Sequence, residues 1–454
     1  MASRRRRNRP ESPESAPRSA ASDRSSQPPP SDDSSVFAAV PFYNTTFSTH
    51  RVSPLYIGKE QLTNERLRTL AQRLRDILVG DVVRGVEVGL GRDGDDPVMG
   101  RFGALEAVDM HWVRLASVLD INPDDAGNEH EGSRDLSQDH MDIDPSPSSS
   151  GGHKDLLKQK AMHISLRYEA SSCTALLLPS TTQEDPPRNI SFSIDTSAEP
   201  ADPQHFFSMP LLLLRMPTPL KPIIADFLAT SFDCRVSPLR LGTRSLVRSW
   251  EVWARLSGLP SRGPLAKDMV LSLGFHLAPP DQPAEEEDYP PPPGLKSIDV
   301  IIPAAELRKF ADAPAGPSKR KNSSAREWEG DLKKRRKLAG GRPREEGWEW
   351  RMAGDATAGE GGAPTAVERQ PFTAALGWYM DHHLGLDMFH PGVRVTKVAC
   401  AGFAMSEGRL KVFGSAGEAR RGASSEGQRQ AVLELVADLV GKATIGGFEG
   451  QRGG

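Results

Sequence analysis

The sequence predicts an α+β fold built on antiparallel sheets. Strand-like segments follow one another in runs with few helices between them, which favours antiparallel sheets over a doubly wound α/β fold. Only a few segments show the spacing of apolar residues that is typical of amphipathic helices. The chain of 454 residues is 37% hydrophobic and contains 41 Gly and 38 Pro, so we expect two folded parts separated by disordered inserts.

The first folded part is expected to span residues 36–311. Residues 1–35 are mostly Arg, Ser, Pro and Asp, which cannot bury enough apolar surface to offset the entropy of ordering, so this tail is predicted to be disordered. Phe42 to Tyr56 is rich in aromatic residues and Thr and is predicted to be a strand that ends at Ser53-Pro54.

The clearest predicted helix follows this strand, and Gly80 is expected to end it. Its apolar residues recur at helical spacing: Leu67, Leu70, Ala71, Leu74, Ile77 and Leu78. Val82-Val83, Val86 to Leu90 and Val108 to Leu119 are then predicted as strands. Residues 120–152 contain nine acidic residues and one arginine, a net charge of −8, and are predicted to be a disordered acidic insert.

The rest of the first part alternates further strands with two longer helices and one short one. The predicted strands are 162–168, 173–178, 206–216, 234–241, 269–277 and 298–302, and the predicted helices are 219–230, 245–256 and 304–310. Residues 312–365 are predicted to be a disordered basic linker. Residues 366–442 then form a second folded part with a helix near Phe372, a three-stranded meander from Val393 to Phe413 and a closing helix, followed by a tail over 443–454.

Two basic clusters lie in the linker and are separated by 11 residues. This arrangement is typical of a bipartite nuclear localisation signal, because an extended segment can place both clusters in acidic grooves of an import receptor. A solvated basic linker, or non-specific DNA contact, is the alternative. The predicted signal residues are Lys319, Arg320, Lys321, Lys333, Lys334, Arg335, Arg336 and Lys337. Trp328, Trp348 and Trp350 in the same linker suggest a segment that anchors in a partner's groove.

Patterns that could support catalysis or metal binding have simpler interpretations. Gly89 to Gly94 matches GxGxxG, but Asp95-Asp96-Pro97 follow and no amphipathic helix begins there, so a hairpin turn is predicted. Asp381, His382, His383, Asp387 and His390 lack the CxxC or HExxH spacing of common zinc sites. His383 shares a helix face with Leu376 and Tyr379, which predicts a core or interface histidine. We therefore expect no catalytic residue, no metal and no cofactor.

The cysteines and the apolar runs restrict the cellular environment. Cys173, Cys234 and Cys400 lie far apart and form no CxxC pair, which argues against a disulfide framework and for a reducing compartment. The best apolar run, Leu211 to Leu214, is far shorter than the roughly 20 residues that cross a bilayer. No membrane span is predicted.

Three blocks of this sequence resemble the fungal centromere protein L family. They are FYNTTFSTHRVSPLY at 42–56, LRDILVGDVVRGVEVGL at 74–90 and VRVTKVACAGFAMSEGRLKVFG at 393–414. The resemblance implies a curved antiparallel sheet with helices on one face, in a nuclear, non-enzymatic subunit of the inner kinetochore. It also implies pairing with centromere protein N through the C-terminal part, contact with other kinetochore subunits and with centromeric DNA or nucleosomes, and a role in chromosome segregation during cell division.

Two sets of residues are expected to serve these contacts. Alternation along the meander predicts one buried apolar face and one basic face. The resemblance favours strand addition by a partner there, with an interface at Val393, Val395, Val398, Leu410 and Val412; a half-buried sheet covered by the closing helix is the alternative. Expected contacts with DNA phosphates are Arg244, Arg248, Arg255, Arg394, Lys397, Arg409 and Lys411. For Arg244, Arg248 and Arg255, which share a helix face with Glu251, the sequence alone favours a solvated face with an Arg–Glu pair.

Two other classes of function remain open from the sequence. One is a general nuclear DNA- or RNA-binding factor that is not specific to centromeres. The other is a nucleotide-using enzyme built around Gly89 to Gly94. No nucleophile–base pair or carboxylate pair can be assembled from the sequence, so the enzyme has the least support of the three.

Overall fold

One antiparallel sheet organises the part of the chain that the structure describes. The computed structural model describes residues 40–83, 102–121, 156–180, 205–263, 266–276, 294–313, 332–338, 347–348, 350–351, 370–414 and 423–445. All of these belong to one compact unit that begins at Val40. The predicted N-terminal tail, the glycine turn at 89–94, cluster 319–321 of the nuclear localisation signal and most of both inserts lie outside the described residues.

Eleven of the described strands share this sheet, and every strand pairing in it is antiparallel. The strands are β1 (Thr46–Val52), β3 (Leu105–Arg114), β4 (Lys160–Tyr168), β5 (Ser172–Leu178), β7 (Leu211–Arg215), β8 (Val236–Pro238), β9 (Met269–Phe275), β10 (Ser297–Ile302), β11 (Val393–Ala399), β12 (Phe403–Ser406) and β13 (Arg409–Val412). Their order is β10-β9-β11-β12-β13-β1-β7-β5-β4-β3, and β8 also pairs with β1. A small second sheet joins β2 (Leu55–Tyr56) to β6 (Phe206–Phe207). The predicted α+β class with antiparallel strands is confirmed.

The described helices are α1 (Asn64–Val83), α2 (Leu115–Val118), α3 (Leu220–Phe232), α4 (Thr243–Ser257), α5 (Ala304–Ala311), α6 (Leu332–Leu338), α7 (Pro371–Leu384) and α8 (Ala423–Ile445). Six of them were predicted in this order, whereas α2 lies in a predicted strand and α6 in the linker that was predicted to be disordered. Helix α1 continues through Gly80 to Val83, because one internal glycine costs only about 1 kcal/mol, so the strand predicted at Val82-Val83 is wrong. The strand predicted to run to Leu119 ends at Arg114, where the buried side chains of α2 begin.

Two hydrophobic cores lie on opposite faces of the sheet. On β7, Leu211 and Leu213 face a core with α4, α7 and α8, whereas Leu212 and Leu214 face a core with α1 and α3. These are called the α4–α8 core and the α1–α3 core. Strand β5 alternates in the same way, so the centre of the sheet is buried on both faces. The helix layer therefore lies on one face for one half of the sheet and on the other face for the other half.

Strands from the two predicted folded parts lie side by side. Strand β13 pairs with β1, matching Lys411 with Thr46, and β11 pairs with β9, matching Val395 with Leu273. The meander therefore occupies the interior of the sheet. The basic linker separates two stretches of sequence whose strands belong to the same sheet.

Part of the linker folds against the body of the protein. Trp348 is 2% exposed, and its ring centroid lies 4.9 Å from that of Phe389. It shares the lining of a small cavity with Trp250 and Leu376, and the Arg244 guanidinium lies 5.7 Å from the centroid of Trp350. The hypothesis that Trp348 and Trp350 anchor in a partner's groove is wrong, because the chain's own core holds Trp348. Trp328 lies outside the described residues.

Replacement of Trp348 by Ala should destabilise the fold by about 3 to 5 kcal/mol, because it leaves a cavity in the α4–α8 core. Urea unfolding followed by circular dichroism measures this free energy. Trp378→Ala is the matched control, since this indole is 51% exposed, and it should cost less than about 1 kcal/mol. Equal midpoints for the two variants would contradict a core role for Trp348.

Candidate functional site

The meander presents a basic face away from the α4–α8 core. Val393 and Val395 point into that core, and Arg394 between them points to the other face. The pairing of β11 with β9 shifts register between Val395 and Lys397, which is a β-bulge. Because the bulge adds one residue, Val398 returns to the core and Lys397 joins Arg394 on the outer face. Simple alternation from Val393 would have turned Lys397 inward.

Strand β13 adds two cations to this face. Arg409 pairs with Ser406 across β12 and with Ser48 across β1, and Lys411 pairs with Ala404 and Thr46. Arg394, Lys397, Arg409 and Lys411 thus lie on one face of β11 and β13, and this set is called the basic sheet face. It gathers four of the seven predicted DNA contacts.

One further cation joins this face from a helix. Lys221, in the first turn of α3, and Arg409 line a cleft of about 300 Å³ with Thr46, Ser48 and Thr218. Burial lowers the pKa of Lys221, and the charge of Arg409 lowers it further. The lining of the cleft contains no Asp or Glu, so two like charges meet where an anion would relieve their repulsion. Sequence reasoning missed Lys221, because its neighbour Arg409 is far along the chain and is brought close only by the β1–β13 pairing.

The other three predicted DNA contacts lie elsewhere. Helix α4 packs on the opposite face of the sheet, against β11 and α8. There the Arg248 Nε lies 3.4 Å from Asp438 Oδ1, and Arg244 lies over Trp350. Arg248 and Arg255 both line a groove of about 610 Å³ between α4, α5 and α7. The predicted set of seven therefore does not form one DNA-binding surface.

The acidic residue of α4 has a structural role. Glu251 accepts hydrogen bonds from the Thr373 backbone N–H at 2.8 Å and from the Thr373 hydroxyl at 2.6 Å, close to the N-terminus of α7. Burial raises the pKa of this carboxyl, and the Thr373 hydrogen bonds oppose that rise. Glu251 therefore ties α4 to α7, and Arg248 pairs with Asp438 of α8 instead.

The predicted partner interface is buried within the chain. Val393, Val395, Val398, Leu410 and Val412 are each at most 4% exposed and belong to the α4–α8 core. The strands that carry them also have no free edge, since β11 pairs with β9 and β13 with β1. The expectation that a partner binds these five side chains is corrected: the chain's own helices cover them.

The outer edges of the described sheet are β10 and β3. Strand β10 has the sequence SIDVII, and Ile301 on it is 63% exposed. Helix α5 follows β10 directly and contacts α7 through Phe310 and Tyr379, whose ring centroids are 5.7 Å apart. Helix α7 exposes Trp378, Tyr379 and Leu384. Val300 and Ile302 of β10 face the α4–α8 core, on the side where α7 packs, whereas Ile301 lies on the opposite face of the sheet. The edge of β10 and the exposed residues of α7 are together called the β10–α7 surface.

The structure shows the surroundings of the histidines and cysteines that were considered for metal binding and redox chemistry. Within the described ranges, no three His, Cys, Asp or Glu residues are grouped so that they could hold a metal. His383 is exposed, with its ring centroid 4.5 Å from that of Tyr379, so of the two predicted placements the core is wrong and the interface stays a prediction. Cys173, Cys234 and Cys400 are free thiols, and burial raises the pKa of each to about 11.

A histidine pair bridges β3 and β4, with His163 buried and His111 half-buried. His163 Nδ1 lies 3.3 Å from His111 Nε2, and their rings meet edge to face. Burial, with a smaller effect of His111, lowers the pKa of His163 from 6.5 to about 4. Burial also lowers the pKa of His111. This pair is therefore neutral in the folded protein at neutral pH.

The described fold and surfaces define a structural assembly subunit: a broad sheet with a basic face and an unpaired apolar edge. Comparison with family models gives the family. The model of centromere protein L matches residues 41–444, and the chain belongs to this family. Comparison with curated proteins finds no match.

Family membership gives the general role. The chain is a structural subunit of the inner kinetochore, acts at the centromere in the nucleus, and serves chromosome segregation. The resemblance found in the sequence is thus confirmed. Among the described helices, none has the length and apolar content to cross a membrane.

The low pKa of His163 makes stability depend on pH. The unfolded chain takes up a proton near pH 6.5, whereas folded His163 resists protonation down to about pH 4. Stability is therefore full above pH 6.5 and should fall by about 3 kcal/mol as the pH drops from 6.5 to 4. Urea midpoints measured across this range should fall less steeply for His163→Leu. Identical pH profiles for the two proteins would contradict a neutral, buried His163.

Proposed function

We propose that this chain pairs with a centromere protein N-like subunit through the β10–α7 surface. The pair would help to link centromeric DNA or nucleosomes to other kinetochore modules through the basic sheet face. The observation that carries the pairing is the apolar edge of β10, which has a strand neighbour on one side only among the described residues.

Strand β10 has the properties of an edge that receives another strand. An edge strand displays unpaired N–H and C=O groups, and proteins that avoid association protect such edges with charge, proline or bulges. Here the four apolar residues Ile298, Val300, Ile301 and Ile302 accompany a single acid, Asp299, which accepts a hydrogen bond from Ser272. An added strand would complete the backbone hydrogen bonds, and Ile301 would contact its side chains.

Helix α7 provides the apolar contact that such pairing needs. A strand alone buries little area, and stable interfaces depend on aromatic anchors in a desolvated centre. Trp378 and Tyr379 are exposed on α7, and Tyr379 contacts Phe310 of α5, the helix that follows β10. A helix of the partner, packed on these rings, would bury them together with the added strand.

The basic sheet face supports contact with DNA phosphates. Lys397 and Arg409 are exposed, Arg394 and Lys411 are half-buried, and Lys221 adds a fifth cation. Lysine and arginine on a sheet surface provide sequence-independent contacts with the backbone. Such contacts suit a subunit whose location is set by its complex. The basic face alone would equally serve a general nuclear DNA- or RNA-binding factor, and family membership favours the kinetochore.

Nuclear entry is proposed to use the two basic clusters of the linker. The receptor would bind Lys319, Arg320 and Lys321 together with residues 333–337. The second cluster forms most of α6 in the described structure. An import receptor that requires extended chain would have to unwind this helix.

The variant Ile301→Asp should abolish pairing, because a carboxylate would enter the apolar partner contact without a counterion. Co-expression with the same organism's centromere protein N candidate, followed by size-exclusion chromatography with light scattering, should give a one-to-one species for wild type and none for Ile301→Asp. Val79→Asp is the matched control, since Val79 is an exposed apolar residue on α1, and it should retain the partner. A one-to-one complex with Ile301→Asp would exclude the β10 edge.

Replacement of Lys397, Arg409 and Lys411 by Gln should reduce the salt dependence of DNA binding. Each phosphate contact adds about 0.9 to the slope of log K against log salt, so the triple variant should lose about 2 to 3. Fluorescence anisotropy with duplex DNA measures the slope. The control replaces three exposed arginines of α1, Arg68, Arg73 and Arg75, by Gln. A slope equal to that of wild type would show that the basic sheet face does not contact DNA.

A further inference from the structure

We propose that the cleft between α3 and the paired strands β1 and β13 binds a phosphorylated serine or threonine side chain of a partner protein. The cleft has a volume of about 300 Å³, and Lys221 and Arg409 are the two cations in its lining. This inference goes beyond the proposed DNA contact and does not rest on it, because a phosphorylated protein segment and a DNA duplex are different ligands.

Two cations meet in this cleft without an acid to neutralise them. Arg409 lies on β13 opposite Ser48 of β1, and Lys221 lies in the first turn of α3. Burial lowers the pKa of Lys221, and the nearby charge of Arg409 adds to this effect. Among the described residues, neither side chain forms an ion pair and no Asp or Glu lines the cleft. An anion that contacts both cations would gain charge-assisted hydrogen bonds from each.

The fold holds the two cations in position before a ligand arrives. Leu220 and Ile224 lie close to Lys221 on α3 and are buried in the α1–α3 core, so the first turn of α3 is fixed against the sheet. Strand β13, which carries Arg409, lies between β1 and β12. Binding therefore has to order only the ends of two side chains, which limits its entropic cost.

The other donors of the cleft are side-chain hydroxyls. Thr46 and Thr218 line it and can donate to an anion, whereas the Ser48 hydroxyl already donates to the Leu214 carbonyl at 3.2 Å. The Lys221 N–H in the first turn of α3 donates to the Thr218 carbonyl, and the next residue is a proline, which has no N–H. The site is therefore built from side chains of β1, β13 and α3 and does not depend on the N-terminal amides of this helix.

A phosphomonoester suits this cleft better than a phosphate of the DNA backbone. A phosphorylated side chain carries about −1.5 to −2 charge at neutral pH, so one group can neutralise both cations. A backbone phosphate carries a single charge and would leave one cation without compensation. Met216, Pro217 and Pro219 add apolar carbons to the lining. The carbon atoms of a phosphorylated serine or threonine would contact these groups while the phosphate contacts the cations.

The test uses the full chain and a fluorescein-labelled glycine–serine peptide that carries one phosphoserine. Fluorescence anisotropy should show binding of this peptide, and peptides with serine or glutamate in its place should bind at least about tenfold more weakly. Lys221→Gln and Arg409→Gln should each weaken binding of the phosphopeptide about tenfold. Arg409→Lys should lose less, because it keeps the charge and loses only the planar fork of donors.

The matched control is Arg68→Gln, which removes an exposed arginine of α1 and should leave the affinity for the phosphopeptide unchanged. Urea midpoints close to that of wild type would show that the cleft variants remain folded. Equal binding of the phosphorylated and unphosphorylated peptides would overturn the inference. Equal losses for Lys221→Gln and the control would do the same, because the phosphate would then bind elsewhere.

A separate titration with duplex DNA distinguishes this inference from the proposed function. If Lys221→Gln lowers the salt dependence of duplex binding and leaves the affinity for the phosphopeptide unchanged, the cleft contacts DNA only and the inference fails. If the wild-type chain binds the phosphopeptide through Lys221 and Arg409 but shows no salt-dependent binding of DNA, the inference stands and the proposed DNA contact fails.

Discussion

The antiparallel pairing of β1 with β13 is the constraint on which the arrangement of this protein depends. It joins residues 46–48 to residues 409–411 and so brings the two ends of the folded sequence into one sheet. Strand β1 pairs on its other side with β7 and β8. Arg409 and Lys221 can share a cleft only because of this pairing, and the meander becomes interior for the same reason. Loss of these few backbone hydrogen bonds would separate the basic sheet face from its helix.

The helices cover different faces of the sheet in its two halves, and this explains where charged side chains can lie on it. Around β5 and β7 helices cover both faces, and almost every side chain of these strands is apolar and buried. Around β11 and β13 the described helices cover one face, and Arg394, Lys397, Arg409 and Lys411 lie on the other. Charged side chains on a sheet need a face that is not covered by helices, because burying an unpaired charge is costly. The bulge at Thr396 then decides that Lys397 belongs to that surface.

Local sequence patterns predicted those features of the fold that depend on residues close together in the sequence. The spacing of Leu67, Leu74 and Leu78 located α1, and alternation along β11 and β13 located a buried and a basic face. What the sequence could not show depends on contacts between distant segments: that α8 and α4 cover Val395 and Val412, that the meander is flanked by β9 and β1, and that Trp348 enters the core. The composition of the linker does not predict this last contact, since the residues around Trp348 are those typical of a solvated linker. Ile301 gave no signal either, because edge and interior strands have similar sequences when the pairing is unknown.

The geometry of the sheet also relates the two proposed interfaces. Strand β10 is separated from β11 only by β9, so a strand added to β10 would continue the sheet that carries the basic face. The partner's own outward side chains would then lie in line with Arg394 and Lys397, with the same spacing of about 4.8 Å between strands. Pairing would therefore leave the basic sheet face uncovered, with Asp299 and Ile301 of β10 between it and the added strand. The partner and the DNA would then contact the same continuous sheet, the partner at its edge and the DNA on one of its faces. The width of the surface available to DNA would depend on whether the partner is present.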